Sequence, residues 1–141
     1  MEDPRRRALA EANARFYRAI EELDLPGMDS LWLHESWVRC IHPGWDVLVG
    51  WPAVRESWEN VFASTKWIRV ASTGVDVQVF GEVGIVFSTE NITAPRDDDV
   101  AVAVAQATNL FLARSGGWKM IHHHASPAPV RVTQPFSGII Q

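Results

Sequence analysis

Apolar residues recur every three or four positions in the first half of the chain and every second position through most of the second half, with the change near Lys66. Helical spacing places one side of the chain on one face, and strand spacing alternates faces, so the order helices then strands predicts an α+β domain. The first helix opens with Asp3 as N-cap and Pro4 at its first position; Leu9, Ala12, Phe16, Ala19, Ile20 and Leu23 form its core stripe. "DLPGMDSLW" breaks that helix at Pro26 and Gly27 and restarts a short one from about Met28 to Leu33. "WVRCI" reads as a strand and "HPGW" as a turn. A third helix starts near Trp51, where Pro52 suits a first turn, and ends near Thr65, with Trp51, Val54, Trp58, Val61 and Phe62 on its core side.

From Trp67 onward four strands follow: "WIRVASTGVDVQVF", "VGIVFSTENIT", "VAVAVAQATNLFLAR" and "WKMIHHHAS". Their links, "GE" at Gly81, the acidic "PRDDD" and "SGG" at Ser115 to Gly117, are short enough for antiparallel hairpins. The result is a long, curved antiparallel meander. Three helices cover one face of it, so the other meets solvent or a second subunit. Seven tryptophans, several expected on the exposed face, favour the subunit. Val130, Val132, Phe136, Ile139 and Ile140 make the tail too apolar to leave in water, so residues 131–141 read as an extension packing on the domain of residues 1–130 or on a partner.

At 141 residues and 47% hydrophobic, the chain suits a single core. A net charge of −4, with basic residues dispersed except for Arg5, Arg6 and Arg7, gives no footprint for nucleic acid or an anionic membrane. No apolar run approaches the ~20 residues of a membrane span, and the N-terminus lacks the apolar run of an export signal. Cys40 is alone, which excludes an internal disulfide. The expectation is a cytoplasmic protein with a buried, inert thiol.

The element order, together with "HPG", "AEANARFYRAIEELDLPGMDSLW" and "GGWKMIHHHASPAP", resembles the nuclear transport factor two-like superfamily, and within it the SnoaL-like domains, over roughly residues 8 to 130. The final hairpin is similar to the association domain of calcium/calmodulin-dependent protein kinase, and the opening to ketosteroid isomerases. The resemblance implies a cystatin-like conical barrel with an apolar cavity between helices and sheet, and commonly a homodimer through the outer sheet face.

The histidines supply the candidate chemistry. On a strand His122 and His124 share a face and His123 takes the other. With a two-residue turn at Ser115 and Gly116, Asn109 stands opposite His122, so Asn109, Phe111, Met120, His122 and His124 form one patch. An arginine at the position matching Asn109 points into the cavity of the kinase domain, so the resemblance makes this patch pocket-lining. A one-residue bulge in the turn would bring in His123 instead. The competing reading has these histidines capping strand ends or bonding a subunit interface.

His42, between a strand and Pro43-Gly44, is expected at the mouth of the cavity that the resemblance implies; with its ordinary pKa of about 6.5 it could serve as a general base. Ketosteroid isomerases carry an acid there that moves the substrate proton. Their first-helix tyrosine falls by alignment on Phe16, with Tyr17 about 100° further round the helix, which leaves an oxyanion donor in doubt. Otherwise His42 is a turn residue bonded locally. Glu90, if it faces the cavity, would have a raised pKa and act as acid or base partner. Trp32 and Trp45 read as core and cavity wall. A metal set would need His122 and His124 with His42 or Glu90, a weak signal at that spacing. No metal, no cofactor and no phosphate loop is expected. Two functions remain: binding of a small, mostly apolar molecule, with an isomerase or lyase proton transfer based on His42; or a non-catalytic association or ligand-sensing module.

Overall fold

The computed structural model describes residues 3–130, so the apolar tail of residues 131–141 falls outside the described residues. Helices α1 (Pro4–Glu21), α2 (Leu25–Leu31) and α3 (Trp51–Ala63) pack on one curved mixed sheet of β1 (Arg39–Ile41), β2 (Leu48–Val49), β3 (Arg69–Phe80), β4 (Val83–Arg96), β5 (Asp99–Arg114) and β6 (Gly117–Ala128). The strand order is β2-β1-β6-β5-β4-β3. This is the α+β, cystatin-like arrangement expected from the sequence. The sheet is curved and open; it is not a closed barrel.

Local chemistry explains the helix ends. The Asp3 carboxylate accepts from Arg5 N at 2.9 Å, and Pro4 needs no donor partner in the first turn. The second helix begins earlier than its sequence suggests. Leu23, at φ 52°, ends α1, and Asp24 caps α2 by accepting from Gly27 N at 3.0 Å. Pro26 and Gly27 therefore sit in the first turn of α2 and do not break the chain. A Cβ on residue 27 would come within 2.6 Å of the Asp24 carboxylate, so glycine keeps the cap in place.

The four-stranded meander and its three turns fall where alternation and turn residues put them. Missed were the two-residue strand β2, too short to carry a period, and the parallel pairing of β1 with β6, which joins Cys40 to His123. The core lies between the stripe of α1, the inner side of α3 and the inward residues of the sheet, including Leu9, Phe16, Val54, Val86, Phe111 and Met120. Gly84 lies beneath Leu9, where an added Cβ would approach Leu9 Cδ2 to 2.5 Å. Leu9 is fully buried and cannot swing clear. Gly84→Ala should therefore lower stability by about 1–3 kcal/mol through overpacking, read by urea denaturation; an unchanged midpoint would mean that the helix rides freely over the sheet.

The outer face differs from expectation in composition. The exposed tryptophans, Trp37, Trp45 and Trp67, sit outside all strands, while the outer face carries exposed Phe80, Val83, Phe87, Val100 and Val102. Among the described residues no helix is long and apolar enough to cross a membrane.

Candidate functional site

The inward faces of β4, β5 and β6 alternate apolar and polar groups that meet under α1. Val86, Ser88 and Glu90 point inward from β4; they pair with Asn109, Ala107 and Ala105 of β5. On β6 the pairing does not follow the turn alone. Ser115 and Gly116 form the expected two-residue loop, because Arg114 pairs with Gly117. Four residues on, however, both Ile121 and His122 oppose Leu110, a β-bulge that reverses the face of everything beyond it. His123 thus pairs with Asn109 and turns inward, 2% exposed. His122 and His124 are turned to the outer face, ring centroids 6.2 Å apart. This corrects the patch drawn from the sequence, in which His122 and His124 shared the inner face with Asn109.

Between α1, α3 and the sheet lies a cavity of about 210 Å³. Ile20, Trp58, Val61, Val70 and Ile92 make apolar walls; His42, Glu90 and His123 supply the polar end, and Trp45 stands at the mouth. A larger cleft of about 380 Å³ between α1 and α2, edged by Arg15, Arg18 and Lys119, is a polar surface feature. The smaller cavity is the candidate site, because an apolar chamber with a few convergent polar groups is the form that ligand sites take.

Hydrogen bonds hold the polar end in one arrangement. Tyr17 Oη donates to Glu90 Oε2 at 2.7 Å. Asn109 Nδ2 donates to Asn13 Oδ1 at 2.8 Å and to Tyr17 Oη at 3.2 Å, and Asn109 Oδ1 is 2.6 Å from His123 Nδ1. His123 Nε2 faces Glu90 Oε2 at 4.0 Å, beyond a hydrogen bond. On the other side, His42 Nε2 is 2.9 Å from Ser57 Oγ, which itself donates to Val54 O at 2.7 Å. Trp45 and Trp58 meet the His42 ring edge-on, each with centroids 4.6 Å away.

Burial sets the charges. It lowers His42 to about 4 and, aided by the neighbouring histidines, lowers His123 to about 3, so both rings are neutral near pH 7. Burial raises the Glu90 carboxyl above its ordinary value, and the Tyr17 bond offsets part of that rise. The Tyr17 phenol and the Cys40 thiol are both pushed upward by burial and by the Glu90 charge, which keeps them protonated. Among the described residues no group of three or more His, Cys, Asp and Glu side chains is disposed to hold a metal ion.

The residues named from sequence thus divide. His42, Glu90 and Trp45 line the cavity. Asn109 is fully buried behind it as the hub of the network. Phe16 is core, packed 4.8 Å from the His123 ring, and Trp32 is core, stacked 5.8 Å from Trp51; neither is part of the cavity wall. Sequence reasoning allowed His123 inward only through a bulge in the turn, whereas the bulge lies at Ile121, and it missed the role of Tyr17. Asn13 and Tyr17, four apart beside the apolar stripe of α1, were the available signal: a polar pair on a buried flank needs partners across the sheet.

Known proteins bear on this site. The SnoaL-like domain family matches residues 9–131. The F-box protein SKIP8 of Arabidopsis thaliana is 31% identical over 121 residues, 85% of this chain but 49% of that protein, so the chain spans about half of that relative. A candidate dehydratase of the NTF2-like family from Streptomyces avermitilis superposes with a TM-score of 0.84 at 35% identity, covering 89% of this chain and 96% of that one. A candidate calcium/calmodulin-dependent protein kinase type II association domain from Thiobacillus denitrificans gives a TM-score of 0.74 at 30% identity, over 84% and 93% of the two chains.

Proposed function

The chain belongs to the SnoaL-like domain family of the nuclear transport factor two-like superfamily, and from that premise we propose that it binds a small, mostly apolar organic molecule and moves a proton on it. The observation carrying this reading is the convergence of Glu90, His123 and His42 at one end of an apolar cavity. A buried carboxylate gains by becoming neutral, so Glu90 is the group best suited to take up and return a proton, with Oε2 steadied by Tyr17 and the other oxygen available to the ligand. His42, lowered to about 4, is too weak a base for the leading part and acts as a neutral acceptor that orients the ligand. The result is a cofactor-independent isomerase or lyase; similarity to the Streptomyces avermitilis protein, described as a candidate dehydratase, favours the lyase.

NMR titration with a panel of small monocyclic alcohols and ketones tests the pocket. Shifts at His42 and His123 are expected in the unaltered chain and not in Val61→Trp, which fills the chamber; identical responses in both would end the reading. For any compound that is turned over, Glu90→Gln should retain binding and lose about 10²–10⁴-fold in rate. A rate within a few-fold of the original would remove Glu90 from the chemistry.

A second reading, association with another copy of this chain, has its own support. Phe80, Val83, Phe87, Val100 and Val102 are exposed along the outer sheet face, and a solved association domain is among the similar structures. The two readings are compatible, since cavity and outer face lie on opposite sides of the sheet. Light scattering should give a dimer that Phe87→Lys converts to monomer; a monomeric parent chain would exclude this interface.

A further inference from the structure

The direction of each hydrogen bond at the cavity floor follows from which atoms can only accept. Ionised Glu90 accepts, so the proton between it and Tyr17 belongs to the phenol. With its one proton committed, Tyr17 Oη must accept from Asn109, which fixes the amide with Nδ2 toward Tyr17 and Asn13. Asn109 Oδ1 is then the atom facing His123, and it too can only accept. The neutral His123 ring therefore carries its proton on Nδ1 and presents a bare Nε2 beside Glu90.

The same accounting applies to His42. The carbonyl of Val54 only accepts, so it takes the single Ser57 hydroxyl proton, and Ser57 Oγ accepts from His42 Nε2. That leaves Nδ1 of the neutral ring without a proton. The other donor in the wall, the indole N–H of Trp58, is sealed in with no accessible surface. The three polar side chains that line the cavity, His42, Glu90 and His123, thus turn lone pairs and no proton toward it.

Resting on the pocket reading above, we propose that the cavity selects a small neutral alcohol, whose hydroxyl donates to the Glu90 and His123 acceptors, over a ketone, an amine or a hydrocarbon of the same shape. A ketone brings a third set of lone pairs against those already present and leaves its own oxygen and His123 Nε2 without a donor. An ammonium would have to shed its water into walls of Ile20, Val70, Ile92 and Trp58. Size narrows the class further. At about 210 Å³ the chamber is below the ~300–1,000 Å³ of drug-sized sites and somewhat above a cavity of about 150 Å³ known to hold benzene. One substituted ring fits.

The test compares 1-phenylethanol, acetophenone, 1-phenylethylamine and ethylbenzene by calorimetry or NMR at mildly alkaline pH, where Glu90 is most ionised. The alcohol is expected to bind about tenfold tighter than the ketone. That preference should shrink as the pH falls and the Glu90 carboxyl, once protonated, becomes a donor. Equal or tighter binding of acetophenone, 1-phenylethylamine or ethylbenzene overturns the selectivity while leaving the pocket reading intact. No binding by any of the four overturns both. Independently of ligand, ¹⁵N spectra should find the His123 proton on Nδ1 and the His42 proton on Nε2. A His123 proton on Nε2 would overturn the proposal directly.

Discussion

Acidification from about pH 7 to about pH 5 should cost the Glu90→Gln variant about 4 kcal/mol of folding stability, and the unaltered chain clearly less. His42 and His123 are held neutral in the fold, lowered to about 4 and about 3 from an ordinary value of 6.5. Between those limits the unfolded chain binds more protons than the folded one, so stability rises with pH. The contribution is fully present above pH 6.5 and is lost as the pH falls toward the folded values, at about 2 kcal/mol for each ring by pH 5. Glu90 has the opposite sign. Its folded value lies above the ordinary 4.5, so in that window the folded state holds the extra proton and acidification favours folding. Removing Glu90 exposes the histidine slope in full. Urea denaturation at the two pH values, in both chains, reads the difference; a shallower slope in Glu90→Gln would contradict the buried, neutral assignment of the two rings.

Asn109→Leu should be the most damaging single change at the site, lowering stability by about 3–6 kcal/mol. Asn109 is fully buried and joins three elements: α1 through Asn13 and Tyr17, β6 through His123, and its own strand β5. Leucine strands Asn13 Oδ1 and His123 Nδ1 without partners, each costing about 1–3 kcal/mol in a dry interior, and takes a weaker bond from Tyr17. The added apolar bulk recovers little, since the surrounding residues already fill the space. Pairing the change with Asn13→Leu supplies an internal check. If the hydrogen bond is the cause, the double variant loses less than the sum of the two singles, because neither partner is then left alone. A loss under about 1 kcal/mol for Asn109→Leu would mean that the amide is not the hub.

The same Asn109 marks the limit of what could be read from the chain. Its inward direction followed from alternation, as did that of Phe111, and the hairpin turn at Ser115 and Gly116 was legible from its residue types. What pairs with it was not. The bulge at Ile121 inserts one residue into β6, and nothing in "WKMIHHHAS" distinguishes it from a regular strand. With the bulge, Met120 stays in the core opposite Phe111 while His123 pairs with Cys40 of β1 and packs against Phe16 of α1. One inserted residue inverts parity, so His123 exchanges places with His122 and His124.

Sequence alone determined the first and third helices, the cap at Asp3, the meander, its turns and the α+β class, because each depends on residues within a few positions of one another. It also put His42 and Glu90 forward as the chemistry to examine. Tertiary structure decided which histidine enters the cavity, that Tyr17 and not Phe16 reaches the carboxylate, and that burial lowers His42 to about 4. Those outcomes depend on register between strands, on the rotation of α1 over the sheet, and on water excluded by distant residues. Such quantities are set by the packed whole; the one local trace of them is the polar pair Asn13 and Tyr17 beside the apolar stripe of α1.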